Sequence, residues 1–327
     1  MKILITGGLG FIGSNLTEYL LTKTNVKKII IIDNFSQNTT KYLKSFIKFK
    51  YFYSPAVYIK SNAKVQVIRA NIKNNQFAST ITKNIDYVIH LAAESGVDAS
   101  INNPRDSFEN NVIGTFNYLN ASKINKVKGF IFPSSGAVFG DIKPPMHEKL
   151  PRIPISPYGS SKLSGETFCE TFSNIFKLNT TILRFSNAYG NYSSHKKSVI
   201  AKFIQNIIKN NPLVINGDGK HTRDFIHVED ICSAIYKSIK NKERLQIYNV
   251  ATGHETSINK LIILLKKVFK NHNKTNIKIK HNKARIGDMR RNFSSPRKIK
   301  KELQWKPKIN LYEGLSKTVQ WYLGGNK

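Results

Sequence analysis

The chain has 327 residues, 40% hydrophobic and 11% aromatic, which fits a globular protein able to bury one large or two smaller cores. No apolar run approaches the ~18 residues a membrane helix needs, and the two cysteines, Cys169 and Cys232, exclude a disulfide framework. The formal charge of +32 invites a nucleic-acid partner, yet only 10 of the 52 basic residues are arginine and the lysines are scattered, which reads as a solvated surface that steers anionic substrates.

Strand-like sequence begins at Lys2, leaving no room for a signal or transit peptide, so a cytoplasmic protein is expected. Lys2–Thr6 reads as a short buried strand, and Ser14–Leu21 carries the apolar spacing of a helix. Between them stands Thr6-Gly7-Gly8-Leu9-Gly10-Phe11-Ile12-Gly13, in which Gly7, Gly10 and Gly13 form GxxGxxG. Glycine permits a tight turn and close approach of backbone to a pyrophosphate, and the following helix offers its positive N-terminus. A second β-branched run, Lys28–Ile32, ends at Asp33, where a carboxylate would accept hydrogen bonds from an adenosine ribose and repel a 2′-phosphate. NAD is therefore expected rather than NADP.

Lys41–Lys60 mixes lysines with Phe46, Phe49, Tyr51, Phe52, Tyr53 and Tyr58. Stacking on nucleic acid is one use of such a mixture; a helix laying its aromatic side against the adenosine half of the nucleotide domain is the preferred reading. Apolar runs at Val65–Ile68, Tyr87–Leu91, Gly129–Pro133 and Thr181–Phe185 alternate with helical patterns around 111–124 and 162–176. That alternation predicts an α/β fold, a Rossmann-type doubly wound parallel sheet covered on both faces.

Tyr158 follows Ser156-Pro157, a capping serine and a proline suited to a first helical turn, so i, i+4 spacing puts Tyr158 and Lys162 on one helix face. A free phenol titrates near pH ~10 and is a poor base at neutral pH; the Lys162 ammonium and an oxidised nicotinamide are expected to lower that value. After Asn187 come polar loops at 190–197 and 216–224, a helix after Thr256-Ser257 and basic strand-like sequence at 276–280. The expected division is an NAD-binding domain over 1–186, to which 228–250 returns, and a smaller substrate-binding lobe from 187–227 and 251–327. His221 and His227 share a loop without ligand spacing, so no metal is expected, and His90 reads as a structural histidine near the cofactor.

Taken together, TGGLGFIGSNL, HLAAES at 90–95, NNVIGT at 110–115, SSGAVFG at 134–140, SPYGSSKLSGE at 156–166, RFSNAYG at 184–190, GDGKHTRDFIHVED at 217–230 and RIGDMR at 285–290 resemble the extended short-chain dehydrogenase/reductases, and within them the nucleotide-sugar 4-epimerases of the UDP-glucose 4-epimerase type. The resemblance runs nearly end to end. It implies that Ser135, Tyr158 and Lys162 are catalytic. It implies cofactor contacts from Gly7, Gly10, Phe11, Ile12, Gly13, Asp33, Asn34, Asn71, Ile72, Leu91, Ala92, Ala93 and Asn111, with Lys162 also on the nicotinamide ribose. On the substrate side it implies Asn187, Arg223 and Arg285 on a diphosphate, Asp288 on the uridine ribose, and Asn292 at the sugar.

Some positions depart from that pattern. Dehydratase relatives carry an acidic pair after the active-site Ser or Thr, where this chain has Gly136 and Ala137, and the Glu usual in decarboxylases is absent from this stretch as well. Asn71 replaces a common Asp on the adenine, and the segment from Asp33 to Asn71 is longer than usual. Asn292 is smaller than the aromatic that confines related pockets to plain hexoses, so UDP-GlcNAc is expected to be tolerated beside UDP-glucose. The expectation is an NAD-dependent UDP-hexose 4-epimerase working through a transient 4-keto sugar, in a homodimer without nucleic acid or membrane. An NDP-sugar reductase, an epimerase of another nucleotide sugar such as UDP-glucuronate, and a non-catalytic nucleotide- or RNA-binding protein are the alternatives.

Overall fold

The computed structural model describes residues 1–37, 39–52, 62–240, 243–283 and 289–324. Among them, β1 (Lys2–Thr6), β2 (Lys28–Asp33), β3 (Lys50–Phe52), β4 (Val65–Arg69), β5 (Tyr87–His90), β6 (Gly129–Ser135) and β7 (Thr180–Phe185) join the strand Leu245–Val250 in one sheet of eight. The spatial order is Leu245–Val250, β7, β6, β5, β1, β2, β4, β3, and every neighbouring pair is parallel. Parallel neighbours need crossovers, and helices supply them on both faces.

Buried strands read as unbroken aliphatic runs because each face meets a helix layer. Ile3, Ile5, Ile29, Ile31 and Ile89 pack on one side with Leu16 and Leu20 of the Phe11–Lys23 helix and Ile231 and Ile235 of the Val228–Ile239 helix. Leu4, Ile30, Ile32, Val88 and Phe130 pack on the other with Phe77, Ile81, Leu119 and Phe172. Successive residues of one strand therefore serve opposite cores.

A third core joins Phe203 and Ile204 of the Val199–Ile208 helix, Leu261 and Leu265 of the Ile258–Lys270 helix, and Leu315 and Val319 of the Leu311–Gly324 helix. Short strands flank it. Asn187–Tyr189 pairs with Phe225–His227, Leu213–Asn216 with Ile279–Asn282, and Thr222–Arg223 lies between Thr256–Ser257 and Arg291–Asn292.

Two local readings change. Lys41–Lys60 is not one helix: a single turn, Lys41–Lys44, precedes the edge strand β3. Its aromatics divide, with Tyr51 edge-on to Phe35 at 5.5 Å, whereas Tyr42 and Phe46 meet Tyr192 at 5.2 and 5.9 Å and Tyr42 meets Trp321 at 5.8 Å. Residues 53–60 of that segment, including Tyr53 and Tyr58, lie outside the described residues. The helix expected at 111–124 begins as a π-helix, Phe108–Ile113, before the α-helix Gly114–Ile124.

The C-terminal segment is tied back by Trp305, which is 1% exposed and donates from Nε1 to Ser233 Oγ at 2.8 Å, while Asp230 accepts from the Lys308 and Ile309 amides. Trp305→Ala opens a cavity and orphans this anchor, with an expected loss of about 3–5 kcal/mol, read as a lower urea midpoint; an unchanged midpoint would remove Trp305 from the fold's essential packing.

Candidate active site

The sheet's order reverses between β1 and β5, and the loops leaving the carboxyl ends of these strands open a crevice there. Gly7 has φ +66°, donates from its amide to Ile32 O at 2.7 Å, and has no room for a side chain, since a Cβ would lie 2.7 Å from Ala92. A Cβ on Gly13 would lie 2.5 Å from Gly8 Cα, so glycine lets the helix approach the turn. Gly10 caps the Phe11–Lys23 helix with no side chain on its first amides, a positive end ready for an anion. Phe11 itself is buried in the core, and Ile12 is half-buried.

Asp33, at the end of β2, accepts from the Leu9 amide at 3.1 Å and the Phe35 amide at 2.9 Å. Burial pushes its carboxyl up and the two amides oppose the shift. Each oxygen keeps a further lone pair, the acceptors a ribose diol needs. Cradle, bare helix end and carboxylate thus fit a dinucleotide. Asn34 and Asn71 close their own turns, accepting from Ser36 and Lys73 amides at 3.0 and 2.9 Å. The Asn71 oxygen expected on an adenine is thereby already engaged once. Ile72 is buried, packed where a Cβ on Gly114 would come within 2.4 Å of it.

Beyond β5, Leu91, Ala92 and Ala93 are half-buried along the crevice wall, and the Ala92 amide donates to Thr6 Oγ1 at 3.2 Å. His90 is buried, its Nδ1 3.0 Å from Thr6 Oγ1 and its ring stacked 5.8 Å from Phe130. Burial, helped by the nearby Lys162 charge, pulls its imidazole down to about 3, so it is neutral and structural.

Ser156 caps the helix Pro157–Phe176 by accepting from the Gly159 amide at 3.1 Å, which sets Tyr158 in the first turn. The helix packs beside β6, which brings the Ser135 hydroxyl at that strand's end near the Tyr158 phenol. Lys162 is 6% exposed, donates from Nζ to Pro133 O at 2.9 Å and lies 5.1 Å from the Phe132 ring centre. The expected depression of the phenol is not what this geometry gives. Burial pushes Tyr158 up, with the neighbouring Ser135 hydroxyl offsetting part of the rise, and the ammonium is directed at a carbonyl. Burial also pulls Lys162 down to about 8.

Asn111, 1% exposed in the π-helix, accepts from the Glu94 amide at 2.7 Å and donates to Glu94 O at 3.0 Å and Ser161 Oγ at 2.9 Å. Ser161 in turn donates to Tyr158 O at 2.8 Å, so one side chain joins the loop after β5 to the tyrosine's helix. The extra π-helical residue faces Asn111 inward, a device that recurs at functional sites. Sequence reading missed Glu94, Ser161 and Lys196, whose Nζ reaches Ser95 Oγ at 3.2 Å across 101 residues. No local pattern marks such a pair.

Ser135 is the register partner of Phe185 on β7, which brings Asn187 to the same edge. Asn187 donates from Nδ2 to Asp224 O at 3.2 Å. Arg223 donates from Nη1 to Thr222 O and Met289 O, each at 2.8 Å, and pairs in register with Asn292 on the neighbouring strand. The segment carrying Asn292 is held near the loop after Ser135 by the Ser295 amide on Met146 O at 2.7 Å. Arg285 and Asp288 lie outside the described residues. Among those described, no group of three His, Cys, Asp or Glu is placed to hold a metal, and no helix is long and apolar enough to cross a membrane.

With this geometry in view, the profile of the family described as GDP-mannose 4,6 dehydratase matches residues 4–318. The UDP-glucose 4-epimerase of Thermotoga maritima, solved with UDP-glucose, is 29% identical with TM-score 0.88, covering 100% of both chains. A UDP-N-acetylglucosamine 4-epimerase from Methanobrevibacter ruminantium, in complex with UDP-N-acetylmuramic acid, is 30% identical over 99% of this chain and 98% of that one, with TM-score 0.87. The UDP-glucuronic acid 4-epimerase of Bacillus cereus, solved with UDP-glucuronic acid and NAD, is 29% identical over 98% of each chain, with TM-score 0.85.

Replacing Asp33 by Ala removes the acceptors aimed at the crevice. NAD binding, followed by titration calorimetry, should weaken about 10- to 100-fold, the worth of charged hydrogen bonds; undiminished affinity would take Asp33 out of the site.

Proposed function

The chain belongs to the GDP-mannose 4,6 dehydratase family, NAD-dependent nucleotide-sugar epimerases and dehydratases among the extended short-chain dehydrogenase/reductases, and on that premise we propose that it is a UDP-hexose 4-epimerase. One observation carries this reading: the Ser135 hydroxyl and the Tyr158 phenol lie together beside a position with no acid or base to eliminate water. A side chain built at Gly136 would meet nothing within 4 Å, so that place holds open space where dehydratases put a carboxylate, and Ala137 offers no proton either.

NAD, when bound, supplies reversible hydride transfer with the sugar C4. The protein's part is proton handling and grip. Tyr158 takes the 4-OH proton, directly or through Ser135, as C4 is oxidised. Its raised pKa means the phenolate needs positive charge nearby, which Lys162 provides while it keeps its proton. On return the same phenol gives the proton back. Arg223 and Arg285 hold the diphosphate, with Asn187 beside them, while the keto sugar turns and presents its other face. Asp288 accepts from the uridine ribose. Planar guanidinium groups suit this work, since they bind phosphate oxygens through several donors.

Asn292 beside Arg223 leaves room for a 2-acetamido group, so UDP-GlcNAc and UDP-GalNAc join UDP-glucose and UDP-galactose as substrates. A second reading, with UDP-glucuronate as the sugar, is favoured by Lys196. Its half-buried ammonium reaches Ser95 past the end of β5, and a cation in that place would attract a sugar carboxylate.

The enzyme is further proposed to work in the cytoplasm as a homodimer. Supporting the dimer, Phe116 and Ile124 on the Gly114–Ile124 helix are 40% and 55% exposed, and Ile175 and Phe176 on the Pro157–Phe176 helix are 65% and 46% exposed. Covering them would remove an apolar patch from water.

Proton NMR with UDP-glucose, UDP-GlcNAc and UDP-glucuronate in turn, without added NADH, should show inversion at C4 for at least one; a requirement for stoichiometric NADH would point to a reductase instead. Tyr158→Phe should cut turnover at least about 100-fold with NAD still bound, in the range for losing a general acid-base group. A fully active variant would refute the assignment.

A further inference from the structure

Glu166 stands one turn beyond Lys162 on the helix Pro157–Phe176 and is 0% exposed. Its carboxylate takes four hydrogen bonds. Ser134 Oγ at 2.6 Å and Arg184 Nε at 2.9 Å donate to Oε1, and Arg184 Nη2 at 2.7 Å and Arg152 Nη1 at 3.3 Å donate to Oε2. The donors come from three directions: β6, β7 and the chain entering the helix. Ser134 is the residue before Ser135, so this carboxylate ties the strand end that presents the serine to the helix that presents Tyr158 and Lys162.

Such an arrangement is poorly explained by stability alone, because a buried ion pair adds little over well-packed apolar side chains. What it touches suggests another use. Lys162 is desolvated, with the Pro133 carbonyl as a neutral partner and the Phe132 ring against it. Burial favours loss of its proton, and the opposing influences are Glu166 first and Cys169 second. The Cys169 thiol is pushed well up by burial and stays neutral. His90, facing Lys162 from β5, is neutral too. Farther out, Arg184 lies across the Phe139 ring at 4.8 Å, and Arg152 pairs with Glu170 at 2.6 Å.

We propose that Glu166 is the positioning residue of this site, fixing the Ser134–Ser135 strand end against the helix that carries Tyr158 and Lys162, with its carboxylate one helical turn from the lysine. The proposal rests on the catalytic reading of Ser135, Tyr158 and Lys162. It assigns Glu166 no contact with substrate or cofactor.

The test reads Lys162 directly. Trace acetylation with acetic anhydride from about pH 6 to 11, with the Lys162 peptide quantified by mass spectrometry, reports its protonation without any turnover. The wild-type midpoint is expected at about 8. Glu166→Gln should lower that midpoint by about 1 pH unit or more, the effect of losing a nearby opposite charge, and the alkaline fall of kcat should move down with it. Glu166→Asp, which keeps the charge, should restore most of the midpoint. Because Glu166→Gln leaves the Arg184 guanidinium buried without its carboxylate, the double variant Glu166→Gln/Arg184→Gln is measured alongside, with a shift of the same direction expected. A folded variant that loses activity with its Lys162 midpoint unchanged would overturn the proposal, leaving Glu166 a packing role. Absence of sugar turnover by the wild type would count against the epimerase reading alone, since the acetylation midpoint needs no substrate.

Discussion

The constraint on which the rest depends is the reversal of strand order between β1 and β5. From β1 the sheet extends outward through β2, β4 and β3 on one side, and through β5, β6, β7 and Leu245–Val250 on the other. Loops leaving β1 and β5 therefore diverge, and backbone with no helix above it opens at the carboxyl edge. The glycine turn, Asp33, the His90–Ala93 wall, Ser135 and Asn187 all follow strands that end at this edge. A groove at this edge is thus a consequence of winding, and the residue types placed along it decide what enters.

Burial then shapes the chemistry of what the groove contains. Desolvation pushes Tyr158 up and Lys162 down, so both move toward their neutral forms. A phenolate and an ammonium side by side must be maintained by neighbours against that tendency. On the proposed reading the Ser135 hydroxyl does so for the phenol and the Glu166 carboxylate for the ammonium, and behind Glu166 lies the Arg184 guanidinium, itself 1% exposed. Charge is thereby passed inward to a pair that does not face the groove. Where a relative that eliminates water would add acids at the groove itself, this chain has Gly136 and Ala137, which on the proposed reading confines the chemistry to one carbon's alcohol and ketone.

Much of this was legible in the sequence, and the reason is locality. The βαβ start, with Gly7 needing positive φ and Asp33 ending an isoleucine run, is written within 33 residues, and the Ser156-Pro157 helix start within two. Aliphatic runs gave the strands because parallel strands are buried on both faces. The reading failed where tertiary partners decide. The aromatics of 41–52 pack on residues as distant as Tyr192 and Trp321, so their spacing carried no helical meaning. The π-helix at Asn111 answers to Glu94 and Ser161, and Lys196 to Ser95, pairs with no signature along the chain. The direction of the Tyr158 shift was missed because a helical spacing shows that two side chains share a face, not which acceptor the lysine chooses.

The central claim is that the sugar is oxidised and re-reduced at C4 with no proton lost from carbon. Supplying a UDP-hexose deuterated at C4 in ordinary water, and the unlabelled sugar in deuterium oxide, tests it most directly by NMR of the product. The account predicts that the epimer keeps its deuterium at C4 and gains none on carbon from solvent. Solvent deuterium at C3 or C5, or loss of the C4 label, would contradict it.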